Sequence, residues 1–496
     1  MPKLTLQNRI FNHRVLIFYG ASIISLLLLI TGFLIQVPYL GLAAFAMVGA
    51  IVLLYDFKLL FYLLILSLPL SDEFQIIDGI SIHIPTEPLT ILLLGVSIIY
   101  ILLNPTKLKG KFWKHPLTII LYLNLIWIVV AVISSTHPIV SIKYLLAKIW
   151  FVVVYFFLAG YILKTYSDVK RALWLLLLAT IFGVGYVMIR HGMTGFLFDE
   201  VNSVVRPIFR NHVDYGVWIA ALLPLLFLAA SWYKKDTLLR LFFTIAIVLV
   251  GFALYYSYTR GAWVAIFCVP IFAIIVRYKM VKPALLLSTI IITLFVGFLL
   301  NQNRYLHYAP EFSKTIYHED FSDHMSATFQ MQDMSTVERF YRWIAAVKMF
   351  EARPITGFGP GNFVNNYKKY TITAYETYIS DNEEGSSVHN YFLTMLTEQG
   401  IPGLLIFIAL IFTVLIYFEK VYHQIKNKKQ QYLILGIACC FMVLLINNFF
   451  SDLVEADKLG PLFFICIAIL VRWDIKTNEA LDLEVLEAKE TYTLTS

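Results

Sequence analysis

Arg339 and Arg342 stand at i and i+3 in "RFYRW", so a helix through them carries two guanidiniums on one face. Downstream, "SSVHNYFLTMLTEQGIPG" (386–403) places His389, Asn390 and Glu398 just ahead of a long apolar run. Arg260, in "SYTRGAW" (257–263), occupies a very short turn between two apolar runs. The planar guanidinium fork binds phosphate oxygens in pairs, so several forks aimed at one cavity suit a phosphate or diphosphate. An imidazole with an ordinary pKa of about 6.5 is suited to proton transfer near neutral pH. Each residue also has a plainer reading. Arg260 snorkels or pairs with a loop carboxylate. Arg339 and Arg342 form a solvated face. His389, Asn390 and Glu398 cap or orient a short helix. His389, Leu393 and Leu396 share one helical stripe, which turns the imidazole toward protein.

The elements that must position these groups are membrane helices. The 496 residues are 59% hydrophobic and 14% charged, well away from the average soluble domain. Runs such as "VLIFYGASIISLLLLITGFLI" (15–35) and "ALLLSTIIITLFVGFLL" (284–300) match a bilayer core. The first is too long for a signal peptide and lacks a cleavage site, so it reads as a retained helix. About 14 candidate spans follow, near 16–36, 40–55, 59–70, 89–103, 116–135, 146–163, 172–189, 213–232, 240–256, 261–276, 283–300, 401–418, 432–450 and 459–471. Several are short, so 12 to 14 is the working range. The expected fold is an all-α polytopic membrane protein. Helices fill 1–300 and 401–473, a large loop fills 301–400, and 474–496 is a polar tail that reads as disordered.

Lysine and arginine set the orientation. The loops "NPTKLKGKFWKH", "KTYSDVKR", "YKKDTLLR", "RYKMVK" and "EKVYHQIKNKKQQ" are basic and share a side with the N-terminus, so both termini are expected in the cytoplasm. The large loop then lies outside. Its length is unusual for a mere connection, and its aromatic content argues against disorder. "TVERFYRWIAAVKMFEA" (336–352) reads as a helix within it. The net charge of +7 averages over two sides of a membrane and does not indicate nucleic-acid binding. The four cysteines lie in apolar runs and form no framework.

Basic residues on the outer side run against the topology rule, which draws attention to Lys143, Lys148, Arg206, Arg210 and Arg353 beside Arg260, Arg339 and Arg342. Glycines 357, 359 and 361 in "RPITGFGPGNF" allow a tight turn, either near a ligand or as a helix terminator. They follow a helix rather than a strand, which excludes a dinucleotide or P-loop motif. No His, Cys and carboxylate set has metal-ligand spacing; "RNHVDY" (210–215) offers only His212 and Asp214.

In order along the chain, "SYTRGAW", "RFYRWIAAVKMFEARPITGFGPGNF" (339–363) and "HNYFLTMLTEQGIPG" (389–403), set around one large outer loop, resemble the O-antigen ligase and O-antigen polymerase superfamily. "SSTHPIVSIKYLLAKIWF" (134–151) and "RPIFRNHVDYG" (206–216) are similar to its less constant segments, so the resemblance covers about 134 to 420. It implies a helical membrane fold of the GT-C type, with one or two of the short segments re-entrant or interfacial. It implies transfer of a glycan from undecaprenyl diphosphate to an acceptor hydroxyl on a glycan or lipid A core. That reaction takes place at the outer face of the bacterial plasma membrane, with no metal or other cofactor. By resemblance, Arg260 and one large-loop arginine, Arg339 ahead of Arg342, bind the diphosphate, and His389 activates or orients the acceptor. Arg206, Arg210, Lys143, Asn390 and Glu398 stand as secondary candidates. Gly400 followed by Gly403 approximates the ligase pattern and leaves the polymerase open.

Two other classes remain in view. A GT-C transferase using a polyprenyl-monophosphate sugar would place its carboxylate at Asp72 or Glu73 in "SDEF". A lipid or polysaccharide transporter would show repeats and midplane charges, neither of which is seen in the sequence.

Overall fold

A computed structural model describes residues 24, 31, 56–77, 80–104, 110–308, 334–371, 385 and 387–495. The expected spans 16–36 and 40–55 lie outside the described residues. The fold class is as expected: the described residues are mostly helical. The main helices are α1 (Thr86–Leu103), α2 (Pro116–Ile133), α3 (Pro138–Ile162), α4 (Tyr166–Met193), α5 (His212–Ser231), α6 (Leu238–Tyr255), α7 (Arg260–Arg277), α8 (Val281–Leu300), α9 (Met334–Ala352), α10 (Tyr391–Gln424), α11 (Lys428–Asn447) and α12 (Leu459–Thr495). Each of the twelve other expected spans falls on a helix, and among the described residues ten helices are long and apolar enough to cross a membrane. The expected span 146–163 begins too late. Its helix starts at Pro138, because Lys143 and Lys148 are tolerated within it, and it passes through a π-helical stretch at Phe151–Leu158.

Two readings need correction. The segment that opens with "SDEF", in a fold expected to be all-α, is an antiparallel hairpin of β1 (Asp72–Ile77) and β2 (Ile80–Ile84). Its β-branched "IIDGISIHI" supplies the strand propensity. The tail, expected to be disordered, continues α12 to Thr495. "EALDLEVLEAKE" is rich in strong helix formers, and the base of the tail is tied down. Asp474 is buried and pairs with His115 at 3.2 Å and Lys420 at 2.8 Å.

At the centre of the bundle lies α5, with Trp218, Ile219 and Leu222 fully buried. It packs on α6 and α11. Lipid is as apolar as leucine, so close backbone approach rather than water exclusion must hold such helices together. Small residues supply it: a side chain begun at Gly436 would meet Leu228 at 3.2 Å, and one at Gly216 would meet Thr259 at 2.3 Å. The ends of consecutive helices alternate between two faces. Hairpin 72–84, loops 134–137, 194–211, 256–259 and 448–458, and everything described between α8 and α10 gather at one face. The basic loops gather at the other.

At Gly400 α10 changes direction, with φ 69° and ψ −169°. Only glycine occupies that region readily. The break frees the N–H of Ile401 to donate to Pro354 O at 2.9 Å, and a Cβ at Gly400 would lie 2.1 Å from Ile355 O. Gly400→Ala is therefore expected to cost at least about 1–3 kcal/mol from backbone conformation alone. Thermal unfolding in detergent should show the loss. Gly95→Ala, where a Cβ meets nothing, should be neutral or slightly stabilising.

Candidate functional site

The glycine turn carries the large loop into place. Gly357, Gly359 and Gly361 all have positive φ. Side chains there would strike the Glu398 backbone at 2.4 Å, Ser135 Oγ at 2.3 Å and Val140 at 3.2 Å. The glycines thus permit close packing on this chain itself, not on a ligand. The buried Glu398 carboxylate accepts the N–H of Gly361 at 2.7 Å and of Phe363 at 3.0 Å. Glu398 is thereby occupied as an internal cap for the short helix Phe363–Tyr367. On the other side, Asn362 Nδ2 donates to Ser135 Oγ at 2.9 Å and Ser141 Oγ at 2.8 Å, and the Thr136 N–H donates to Phe358 O at 3.0 Å. The loop ahead of α3 therefore clamps the turn.

His389 sits where the chain turns into α10. Its φ is +57°, and Asn390, not His389, caps the helix by accepting from the N–H groups of Phe392 and Leu393, both at 3.1 Å. The expected stripe of His389 with Leu393 and Leu396 therefore fails: His389 precedes the helix and is aimed by a left-handed backbone. The imidazole is mostly buried, with the charges of Arg339 and Arg342 beside it. Burial first, then Arg339, then Arg342, pushes its pKa down to about 3. The structure thus brings three of the sequence candidates together. They differ in access. Arg342 is buried; it donates to Ser387 O at 3.2 Å and lies 4.0 Å from Glu338. Arg339 is only half-buried.

Loop 448–458, between α11 and α12, holds this corner. Tyr391 N–H donates to Asn448 O at 2.8 Å, and Asn390 Nδ2 donates to Phe449 O at 3.2 Å. Thr394 Oγ1 donates to Asp452 Oδ1 at 2.8 Å. Burial pushes the Asp452 carboxyl up from its usual range, and the nearby Ser387 hydroxyl, Thr394 hydroxyl and His389 N–H partly offset this. Glu455 Oε1 accepts from three groups: Tyr391 at 2.5 Å, Tyr144 at 2.7 Å and Lys148 at 2.7 Å.

Arg260 begins α7 against the same strip of chain. A side chain begun at its neighbour Gly261 would meet Asn447 at 2.9 Å and Phe450 at 3.4 Å, while Phe392 stacks on Phe449 with centroids 4.5 Å apart. Gly261 and Phe392, close neighbours of Arg260 and His389 in the chain, thus both pack on Asn447–Phe450. The turn is fixed by Thr259, whose hydroxyl donates to His212 O at 2.8 Å, and by Trp263, whose Nε1 donates to Leu254 O at 2.8 Å.

The remaining candidates fall elsewhere. Arg206 and Arg210 are exposed on the 194–211 loop, where Arg206 Nε donates to Arg210 O at 3.4 Å. Lys143 is exposed, whereas Lys148, one turn on, is buried. Arg353 is exposed and donates to Ser134 O at 3.3 Å. Sequence reasoning passed over Ser135, Ser141 and Asn362, which do not titrate and so carry no chemical signal. It also passed over Asp452 and Glu455. The available signal for those two was "SDLVEAD", acidic residues on a loop of the same face as the arginines.

Residues 245–408 match a family model described as O-antigen ligase, which supports membership of the O-antigen ligase superfamily. The matched segment runs from α6 through Arg260, Arg339, Arg342 and His389 into α10. No curated protein gives a significant match.

The junction at Glu455 makes a stability prediction. Lys148 is 3% exposed and Glu455 27%. Glu455→Ala leaves a buried ammonium without its partner and should cost about 3 kcal/mol, the low end for a buried pair because Glu455 is part exposed. Lys148→Met in the same chain should recover much of that loss. Unfolding of the two single variants and the double variant checks the coupling.

Proposed function

We propose that this member of the O-antigen ligase superfamily moves a glycan from undecaprenyl diphosphate to an acceptor hydroxyl, with His389 beside the acceptor and Arg260 and Arg339 on the diphosphate. One arrangement carries the reading: the mostly buried imidazole of His389 lies beside Arg339 and Arg342, which favours its neutral form. A neutral imidazole has a lone pair to take the acceptor proton, and adjacent guanidiniums can meet the negative charge that builds on a departing diphosphate. The acceptor oxygen bonds to the anomeric carbon, the bond from that carbon to the diphosphate oxygen breaks, and the proton passes to His389. Undecaprenyl diphosphate leaves as the anion, so no acid is needed at the leaving oxygen.

The same geometry supports a coupling between donor and base. With no donor present, burial and then two cationic neighbours hold down the basicity of His389. A diphosphate on Arg339 offsets part of that positive field, so the imidazole becomes a better base once the donor is seated. Arg342 fits a supporting role better than a contact, since its guanidinium already serves Ser387 and Glu338. The basic loops at the opposite face support placing the site outside the cytoplasmic membrane surface. An O-antigen or exopolysaccharide polymerase would use the same machinery. The acceptor separates the two: a core glycan for the ligase, a second lipid-linked chain for the polymerase.

His389→Asn, which tolerates the left-handed backbone, should lower kcat by at least about 100-fold in transfer with purified protein and lipid-linked oligosaccharide. Arg260→Ala and Arg339→Ala should weaken donor use, and Arg339→Lys should recover little of it because the planar fork is lost. Unchanged turnover in His389→Asn with normal membrane insertion would sink the assignment.

A pH profile gives a second check. The folded pKa of His389 lies below its unfolded value near 6.5, so the ring stays neutral in the free protein until pH falls toward about 3. The kcat/KM for donor should therefore show no acid limb near pH 6.5. A limb there would mean an ordinary, solvated histidine.

A further inference from the structure

His83, Glu87 and Asp457 come from three different elements: the end of β2, the first turn of α1 and the loop before α12. One ligand atom from each lies within 4.8 Å of the others. His83 Nε2 is 2.7 Å from Asp457 Oδ2. The other ring nitrogen, Nδ1, is buried and has no hydrogen-bond partner among the described residues.

The surroundings add negative charge. Glu73 lies directly opposite His83 in the hairpin, and Asp72 and Asp214 are near enough to act on the adjacent Lys458. The Lys458 ammonium is itself spent on backbone carbonyls. It donates to Pro69 O at 3.0 Å, to Ser71 O at 2.9 Å and to Ile208 O. Arg210 offsets part of the charge of Asp214. Three carboxylates, those of Glu73, Glu87 and Asp457, therefore act on one imidazole.

We propose that His83, Glu87 and Asp457 bind one divalent transition-metal ion of the zinc type. One imidazole and two carboxylates form a mixed nitrogen and oxygen set of the kind zinc accepts, and three protein ligands leave a fourth position for water. Calcium and magnesium take oxygen donors and gain nothing from the imidazole. The ion ties the hairpin to loop 448–458, because Asp457 lies two residues beyond Glu455. Its role is to hold that loop, and it takes no part in glycan transfer. Spacing along the chain conceals the set: Pro85 separates the strand residue His83 from the helix residue Glu87, and Asp457 is far away in sequence.

The test is metal binding by the full-length, tag-free protein in detergent. Wild-type protein loaded with zinc chloride and passed through gel filtration should retain one equivalent of zinc, and its melting temperature should rise with zinc. Glu87→Gln keeps the side chain's size and should weaken zinc binding by more than the roughly 10–100-fold that loss of an outer-shell partner costs. His83→Ala should abolish binding. Should His83→Ala fail to accumulate, the titration of Glu87→Gln against wild type decides alone. Failure of wild type to retain zinc, equal affinity in Glu87→Gln, or tighter binding of calcium than zinc would each overturn the proposal.

Discussion

One carboxylate oxygen holds together the face that carries the candidate residues. Glu455 Oε1 takes hydrogen bonds from Lys148 and Tyr144 on α3 and from Tyr391 at the start of α10. These residues are far apart in sequence, and the ammonium among them is almost wholly removed from solvent. A charge in that position is costly unless it is paired, so the three segments cannot separate without exposing or stranding it. Tyr391 lies two residues after His389, which means the anchoring of one carboxylate fixes where the imidazole points. Asp452, on the same loop, completes the attachment through Thr394.

The face is built by subtraction as much as by contact. Where the large loop crosses α10, glycines replace side chains, and backbone meets backbone. Glu398 then fills the gap in hydrogen bonding that such a turn creates, accepting two N–H groups that no regular element would satisfy. The buried Asn362 and Ser141, with the half-buried Ser135, do the same on the other side. The candidate residues stand on an internally satisfied platform, the condition under which side-chain positions can be held.

Much of this was legible in the sequence, and the limits have physical causes. Apolar runs located the helices because a bilayer demands length and hydrophobicity at once. The convergence of Arg339 and Arg342 on His389 followed from titratable residues at one face, and the structure brings them together. Where reasoning relied on helical periodicity beyond the helix it failed: His389 lies before the cap, and a left-handed residue breaks the stripe. Glu398 drew attention as a carboxylate, yet its neighbours make it a receptor for backbone. Lys143 and Lys148 look alike in sequence, and only packing separates the exposed one from the buried one. The tail misled for a related reason: polarity was taken as disorder, while Asp474 binds His115 and Lys420 and starts the extension as helix.

The family match covers 245–408, yet the groups that aim its histidine lie on both sides of it. Tyr144 and Lys148 precede the segment and Asp452 and Glu455 follow it. The matched region therefore holds Arg260, Arg339, Arg342 and His389 without being a folding unit. Excised, or grafted into a foreign bundle, it would keep its arginines and histidine in sequence and lose the frame that sets their mutual orientation. In this architecture the module that can be inherited is larger than the motif that can be recognised.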